Sequence, residues 1–113
     1  ISALSNVQAN LFSDVLVHDM GSCTDADGHE SADNVTQGQA TGDQFRTALL
    51  WGVGQRYFFM HDGQTMNIVQ AVEDHFCPAS AQYPASEANG VVSAFNGLSA
   101  GNQQDLINFL RSL

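Results

Sequence analysis

Residues 45–52, Phe-Arg-Thr-Ala-Leu-Leu-Trp-Gly, and residues 68–75, Ile-Val-Gln-Ala-Val-Glu-Asp-His, determine the fold that we expect for this chain. The second run has a four-residue apolar spacing, typical of one buried helix face, at Ile68, Val72 and Phe76. Thr65 is suited to cap this helix, and Pro78 predicts its end at Cys77. His75 lies three positions after Val72, so we expect it to project from the buried stripe.

Caps and apolar spacing predict three further helical stretches. Asp43 can cap a helix that runs through Trp51, where two nearby glycines would end it. Residues 88–95 form another stretch. Ser99 caps a final helix whose apolar stripe consists of Leu106, Phe109 or Leu110, and Leu113. The chain from residue 43 to residue 113 is therefore expected to be mainly helical.

Less regular sequence separates these runs. Val15 to Val17 is an apolar run that forms either a short strand or an extended segment packed on the core. Residues 21–44 are rich in small polar side chains and predict a long surface loop. Residues 78–86 contain two prolines and predict a connector. At 113 residues the chain is one small domain, or part of one.

The charge of the chain limits its partners. Twelve acidic residues stand against three arginines and no lysine, which gives a net charge of −9. Nucleic acids and anionic membranes are held mainly by Lys and Arg, so neither is expected to bind. The acidity suits a basic redox partner, or it keeps an exported protein soluble. No run reaches the roughly 20 apolar residues of a membrane span, and a start at Ile1 without Met indicates processing or a fragment.

Cys23 and Cys77 are the two cysteines, and they form no Cys-x-x-Cys pattern. A disulfide between them is the favoured interpretation, and it would place the protein in an oxidising compartment. Two buried free thiols are the alternative, because cysteine is often a small buried apolar residue.

Several motifs along the chain resemble one known family in order and spacing. They are residues 12–21 (Phe-Ser-Asp-Val-Leu-Val-His-Asp-Met-Gly), Ala26-Asp27-Gly28, residues 45–52, Phe59-Met60-His61-Asp62-Gly63, residues 68–75, Leu98-Ser99-Ala100 and residues 106–113. In this order they resemble the C-terminal part of the bacterial di-haem cytochrome c peroxidase superfamily, and within it most closely the di-haem oxidoreductase branch.

This resemblance implies a fold and a cofactor. Residues 1–113 would be the mainly α C-terminal portion of one cytochrome c-like haem domain with long irregular loops. The chain lacks the Cys-x-x-Cys-His motif that attaches haem c. Attachment would therefore come from a segment or chain that carries this motif, and the present chain would supply the opposite face of the pocket.

His75 occupies the place of the distal haem-iron ligand in the family, so the resemblance implies axial ligation there. Two histidines on one iron give a lower reduction potential than His and Met, which suits electron storage or relay. They also close the iron to direct attack by peroxide. The alternative is a packing histidine that completes the apolar stripe and binds a carbonyl.

The resemblance also assigns the pocket around this ligand. His61, in a Met-His-Asp-Gly turn, would order a haem propionate, and Arg46 would bind a propionate through its planar guanidinium. Aromatic and sulfur-containing side chains would form the apolar wall, namely Trp51, Phe58, Phe59 and Met60. A turn histidine, a surface arginine and ordinary core aromatics are the competing interpretations. His18 and Met20 are expected to support or pack rather than ligate.

A calcium site is in doubt. The peroxidases of the family bind calcium near a Thr-x-Pro segment, and Arg56-Tyr57-Phe58 stands at this place. Four loop carboxylates could gather a cation, but they lack the order of an EF-hand: Asp25, Asp27, Glu30 and Asp33. A solvated acidic loop is the preferred interpretation.

Three functions remain in view. The first is the haem-pocket part of an exported di-haem c-type oxidoreductase, periplasmic or extracellular, which supplies the distal ligand for electron transfer in peroxidase-type chemistry. This part would not be a complete enzyme by itself. The second is a haem-free structural or interaction subunit that retains the fold. The third is a small non-haem metal binder that uses His61, His75 and carboxylates.

Overall fold

The computed structural model describes residues 9–24 and 28–113. In this part of the chain, β1, Val17–Asp19, pairs antiparallel with β2, Gln44–Arg46, as a two-stranded sheet. Backbone hydrogen bonds continue the ladder past both ends, from Thr47 to Leu16 and from Met20 to Asp43. The expected short strand near Val15 to Val17 therefore exists, but it begins at Val17.

The helix predicted from Asp43 to Trp51 is wrong. Asp43 does not act as a cap, since it is almost fully buried and its carboxylate accepts the hydroxyl of Thr41 at 2.6 Å. Aromatic and β-branched residues such as Phe45 and Thr47 fit well into a strand. Because β1 can pair with this segment, the strand is more favourable than the helix, for which the local preference is weak.

Two of the later predicted helices are confirmed. They are α2, Asn89–Asn96, and α3, Ala100–Ser112. The Ser99 hydroxyl accepts the N–H of Asn102 at 3.3 Å and caps α3 as expected. Within residues 9–24 and 28–113, no helix is long and apolar enough to cross a membrane.

The helix predicted from Thr65 to Cys77 is much shorter. It is α1, Ile68–Glu73, and its cap is Asn67, whose Oδ1 accepts the N–H groups of the first turn. The Thr65 hydroxyl instead accepts the N–H of Asn67 at 3.1 Å. The chain turns after Glu73 because Cys77 has to reach the partners described below.

The expected mainly α, cytochrome c-like architecture is also wrong. The described part contains helices of 6, 8 and 13 residues beside the two-stranded sheet. A short 3-10 helix, Val53–Gln55, lies in the otherwise irregular segment 47–67, and segment 74–88 is irregular. Many residues that were expected in helices instead form the paired strand β2 or closely spaced turns. The chain is therefore a small mixed α and β structure.

The hydrophobic core joins the three helices of the described part. One buried residue comes from each helix, namely Ile68, Phe95 and Ile107, and partly buried neighbours cover them, namely Phe59, Val72 and Leu110. Gly54 lets the 3-10 helix approach α3, because a Cβ there would lie 2.2 Å from the carbonyl oxygen of Arg111. Many large apolar side chains remain exposed, including Phe12, Leu16, Tyr57, Phe58, Met66 and Val91. Such a small core leaves much of the stability to cross-links and polar contacts.

The predicted disulfide between Cys23 and Cys77 is present, with the two Cα atoms 5.6 Å apart. It joins the chain after β1 to the chain after α1, across a sequence separation of 54. Cys77 has no exposed surface. This cross-link fixes the irregular part of the fold to the helical part.

His18 on β1 forms a second long-range connection. Its Nδ1 lies 2.7 Å from Glu87, just before α2, and its Nε2 lies 2.8 Å from Asp14. Hydrogen bonds to Glu87 and then to Asp14 raise the pKa of His18. The pKa of Glu87 is lowered chiefly by His18, and that of Asp14 chiefly by the N–H of Leu16. Since carboxylates only accept, both ring nitrogens donate when the imidazole is charged.

Replacing both cysteines, Cys23→Ala with Cys77→Ala, should lower the free energy of unfolding by about 2–4 kcal/mol, because the cross-link restricts the unfolded chain. Chemical denaturation of the parent and the double variant measures the difference. Val91→Ala, at an exposed position, is the control and should change the value by less than about 0.5 kcal/mol. A double variant as stable as this control would contradict the prediction.

The His18 bridge should make stability depend on pH. The contribution of His18 is complete below its unfolded-state pKa of about 6.5 and is lost as pH rises through its higher folded-state pKa. The contributions of Asp14 and Glu87 are complete above about pH 4.3 and are lost as pH falls. The melting temperature of the parent should therefore exceed that of His18→Ala most between these values. A constant difference from pH 4 to pH 9 would show that the bridge does not contribute.

Candidate functional site

His75 lies half-buried in the turn that follows α1. Its Nδ1 lies 2.5 Å from the carbonyl oxygen of Ala71. A carbonyl oxygen only accepts hydrogen bonds, so Nδ1 carries the proton, and in the neutral ring Nε2 keeps its lone pair. Nε2 has no hydrogen-bond partner in the described part of the chain. A packing histidine would also bind a carbonyl, but the available Nε2 is what a metal ligand needs.

The early end of α1 makes this hydrogen bond possible. In a helix that continued to Cys77, the carbonyl of Ala71 would accept the backbone N–H of His75. That N–H instead donates to Val72 at 3.3 Å. The carbonyl of Ala71 is thus one of the groups that a helix C-terminus leaves unpaired, and the imidazole satisfies it.

The chain just after His75 is held by a dense set of contacts at Cys77. Besides the disulfide, Asn89 accepts the N–H of Cys77 and donates to its carbonyl, both at 2.8 Å. The N–H of Ser86 donates to the same carbonyl at 2.9 Å. His75 is therefore bounded by α1 on one side and by a fixed residue on the other.

His61 lies in a strained turn beside β2. Its ring packs on Phe45 with centroids 4.5 Å apart and planes tilted by 31°. Met60 has a φ of 68°, uncommon for a residue other than glycine, and Phe59 pairs with Thr65 across the turn. Such strain is often found at functional positions. The contact brings two predicted site residues, His61 and Arg46, onto neighbouring segments.

The polar partners of this pair differ from the expectation. The carboxylate of Asp62 accepts the N–H of Gln64 at 3.2 Å and shapes the turn, and no hydrogen bond joins it to His61. Arg46, at the end of β2, is exposed and makes no salt bridge within the described residues. Its guanidinium is therefore available to an external carboxylate.

The predicted apolar wall is not gathered in one place. Phe59 packs against the core, whereas Met60 stays half-buried in the turn. Trp51 is 54% exposed, and its Nε1–H donates to the carbonyl of Asn10 at 2.6 Å. The next residue, Gly52, donates to Leu113 at the end of α3. Trp51 is therefore tied to Asn10, away from the turn that contains Met60 and His61.

Two surface pockets in the described part are small. They have volumes of about 120 and about 180 Å³, and neither is lined by His61 or His75. Pockets for small molecules usually have volumes of about 300 Å³ or more. Neither of these two pockets is therefore large enough to enclose a haem.

A metal site built from this chain alone has no support in the described residues. They contain no group of three or more His, Cys, Asp or Glu side chains that could hold a metal ion. Of the loop carboxylates considered for calcium, Asp25 and Asp27 lie outside the described residues. Glu30 accepts a hydrogen bond from Asn34, and Asp33 accepts one from the N–H of Val35.

Two supporting residues were not foreseen from the sequence. The partner of Nδ1 is Ala71, which lies four positions before His75, so helical spacing could have identified it. Asn89 lies in the helical stretch predicted for residues 88–95, and nothing in its neighbourhood indicates a contact with Cys77. His18 belongs to the carboxylate bridge, and the backbone of Met20 extends the sheet.

The comparison with known proteins gives one positive result. The sequence description of one family, "Di-haem oxidoreductase, putative peroxidase", matches residues 1–113. No curated protein and no solved structure matches the chain significantly. Because the family match covers the whole sequence, the chain belongs to the di-haem oxidoreductase family, whose name implies haem.

Proposed function

We propose that this chain is the haem-pocket part of an exported di-haem c-type oxidoreductase and that His75 is the distal axial ligand of one haem iron. The observation that carries this proposal is the hydrogen bond from His75 Nδ1–H to Ala71. Histidines that bind metals usually donate their second ring N–H to a carbonyl or carboxylate, which fixes the tautomer and raises the basicity of the ligand.

Haem, when bound, supplies an iron that accepts and donates single electrons. The chain's own residues tune and shield that chemistry. Nε2 of His75 would donate its lone pair, and ligation by a second histidine favours a low potential. Two filled axial positions exclude peroxide, so this site would relay electrons toward peroxidase-type chemistry elsewhere in the assembly.

Arg46 and His61 are proposed to bind the propionates. Packing of His61 on Phe45 brings their segments together, and the guanidinium of Arg46 lacks an internal salt bridge. A planar guanidinium matches a carboxylate in a bidentate way. Trp51, Phe59 and Met60 would contact the porphyrin only where another part of the protein completes the wall.

The attachment of haem c would come from a segment or chain with Cys-x-x-Cys-His. Both cysteines of residues 1–113 are joined to each other, so neither can form a thioether. The disulfide supports an oxidising location, periplasmic or extracellular. The net charge of −9 supports a redox partner protein with a basic surface.

A haem-free structural or interaction subunit is the competing function. The small volumes of the two pockets and the exposed apolar side chains favour it. A visible absorption spectrum of the native protein separates the two functions, because only a haem protein has a Soret band.

His75→Ala, made in the complete haem-containing protein, should convert a low-spin iron into a five-coordinate or water-bound high-spin iron. His75→Met should keep six coordination and raise the midpoint potential, since thioether ligation favours the reduced ion. Absorption spectra of the oxidised and reduced forms, followed by potentiometric titration, measure both effects.

One histidine variant serves as the control for this experiment. His29→Ala should leave the iron low-spin, because His29 is not assigned to the haem site. If His75→Ala has the spectrum of the parent, the ligand lies elsewhere, and the spectrum of His61→Ala then tests the next candidate.

Peptides from residues 1–113 of the holoprotein should carry no covalent haem. The reason is that the two cysteines form a disulfide and no attachment motif is present. Proteolysis without reduction, followed by mass spectrometry, should give a linked pair of peptides containing Cys23 and Cys77. A haem adduct on either cysteine would contradict the prediction.

A further inference from the structure

Asn89 binds both backbone polar groups of a single residue. Its Oδ1 accepts the N–H of Cys77 and its Nδ2 donates to the carbonyl of Cys77, each at 2.8 Å. A side-chain amide can do both at once, because it contains an acceptor and two donors. Cys77 lies two residues after His75 and is fully buried. Asn89 therefore acts on the chain next to the proposed ligand.

The disulfide and Asn89 restrain different parts of Cys77. The disulfide holds the sulfur atom, and rotation about the bonds of the side chain still allows the backbone to turn. Asn89 holds the N–H and the carbonyl, so it fixes the orientation of the backbone itself. The N–H of Ser86 supports the same carbonyl at 2.9 Å. Asn89 is the first residue of α2, whose Val92 and Phe95 are buried, so this anchor is rigid.

We infer that Asn89 is a positioning residue for His75. It fixes the backbone at Cys77, and through Phe76 it fixes the direction in which the imidazole leaves the end of α1. This inference rests on the proposed function, because ligation by His75 is what Asn89 would control. Among the described residues, the imidazole of His75 has its hydrogen bond with Ala71, which sets the tautomer but leaves the direction of the ring dependent on the backbone.

Asn89→Ala and Asn89→Asp in the complete haem-containing protein test this role. Asn89→Ala removes both hydrogen bonds. Asn89→Asp keeps the acceptor, but its carboxylate cannot donate, and it repels the carbonyl of Cys77. Outer residues that orient metal ligands typically change metal affinity by about 10- to 100-fold. Cyanide, which competes with His75 for ferric iron, should therefore bind about tenfold more tightly to both variants at neutral pH.

In Asn89→Asp, a change of pH can restore the lost hydrogen bond. When pH falls low enough to protonate the new carboxyl group, the neutral acid can again donate to Cys77. The low-spin spectrum should then return to that of the parent at the same pH. The parent, titrated alongside, corrects for the titratable groups of adjoining elements, namely His18, Asp19, Glu73, Asp74 and Glu87.

Asn108→Ala is the matched control, because Asn108 is exposed on α3 and its side chain accepts a hydrogen bond from Gln104, far from Cys77 in sequence. It should change neither the cyanide affinity nor the spectrum. The inference is overturned if both Asn89 variants bind cyanide like the parent while His75→Ala alters the spectrum. An effect in Asn89→Asp without recovery at low pH would likewise overturn it, because it would indicate only a damaged fold. If His75→Ala itself has no effect, the proposed function fails, and the inference fails with it.

If Asn89→Ala does not fold, Asn89→Asp still tests the inference. Its spectrum at neutral pH is then compared with its spectrum at low pH. Thermal unfolding of each variant, monitored in the far ultraviolet, shows whether the fold is intact where the spectra are taken.

Discussion

The fixation of Cys77 is the interaction on which the rest of the structure depends. Cys77 is covalently joined to Cys23, its backbone is held by Asn89, and its carbonyl also accepts the N–H of Ser86. These contacts tie the sheet side of the molecule, α1 and α2 to one buried point. The central hydrophobic cluster has one buried residue from each helix, which is little for a chain of 113 residues.

Elements that depend on contacts with distant residues, such as those at Cys77, are harder to predict from sequence than elements set by local signals. α3 was predictable because a serine cap is a local signal, and Ser99 satisfies it. The predicted apolar stripe was only partly right, because Leu106 and Phe109 are exposed and Ile107 is buried instead. The short α1 and the strand Gln44–Arg46 were not predictable, because their limits depend on distant partners, Cys23 and Val17–Asp19. A pattern of apolar spacing does not include the competition of such partners.

The candidate site also has features that the sequence could predict and features that it could not. His75, His61 and Arg46 were identified from their order along the chain, which a resemblance preserves. The contacts of His75 with Ala71 and of Asn89 with Cys77 depend on where α1 ends and where α2 begins. Geometry of this kind follows from tertiary structure, so the sequence alone predicts a candidate ligand but not the contacts that hold it.

The early end of α1 affects which nitrogen of the His75 ring carries the proton. Its backbone N–H and its Nδ1–H are rival donors for the carbonyl of Ala71, and the ring nitrogen occupies it. In a helix that continued through His75, its backbone N–H would also donate to the carbonyl of Ala71, and Nδ1–H would have to share this acceptor. The tautomer of His75 is therefore linked to where α1 ends. Substitutions that merely raise helix propensity in residues 74–77 would alter the imidazole without contacting it.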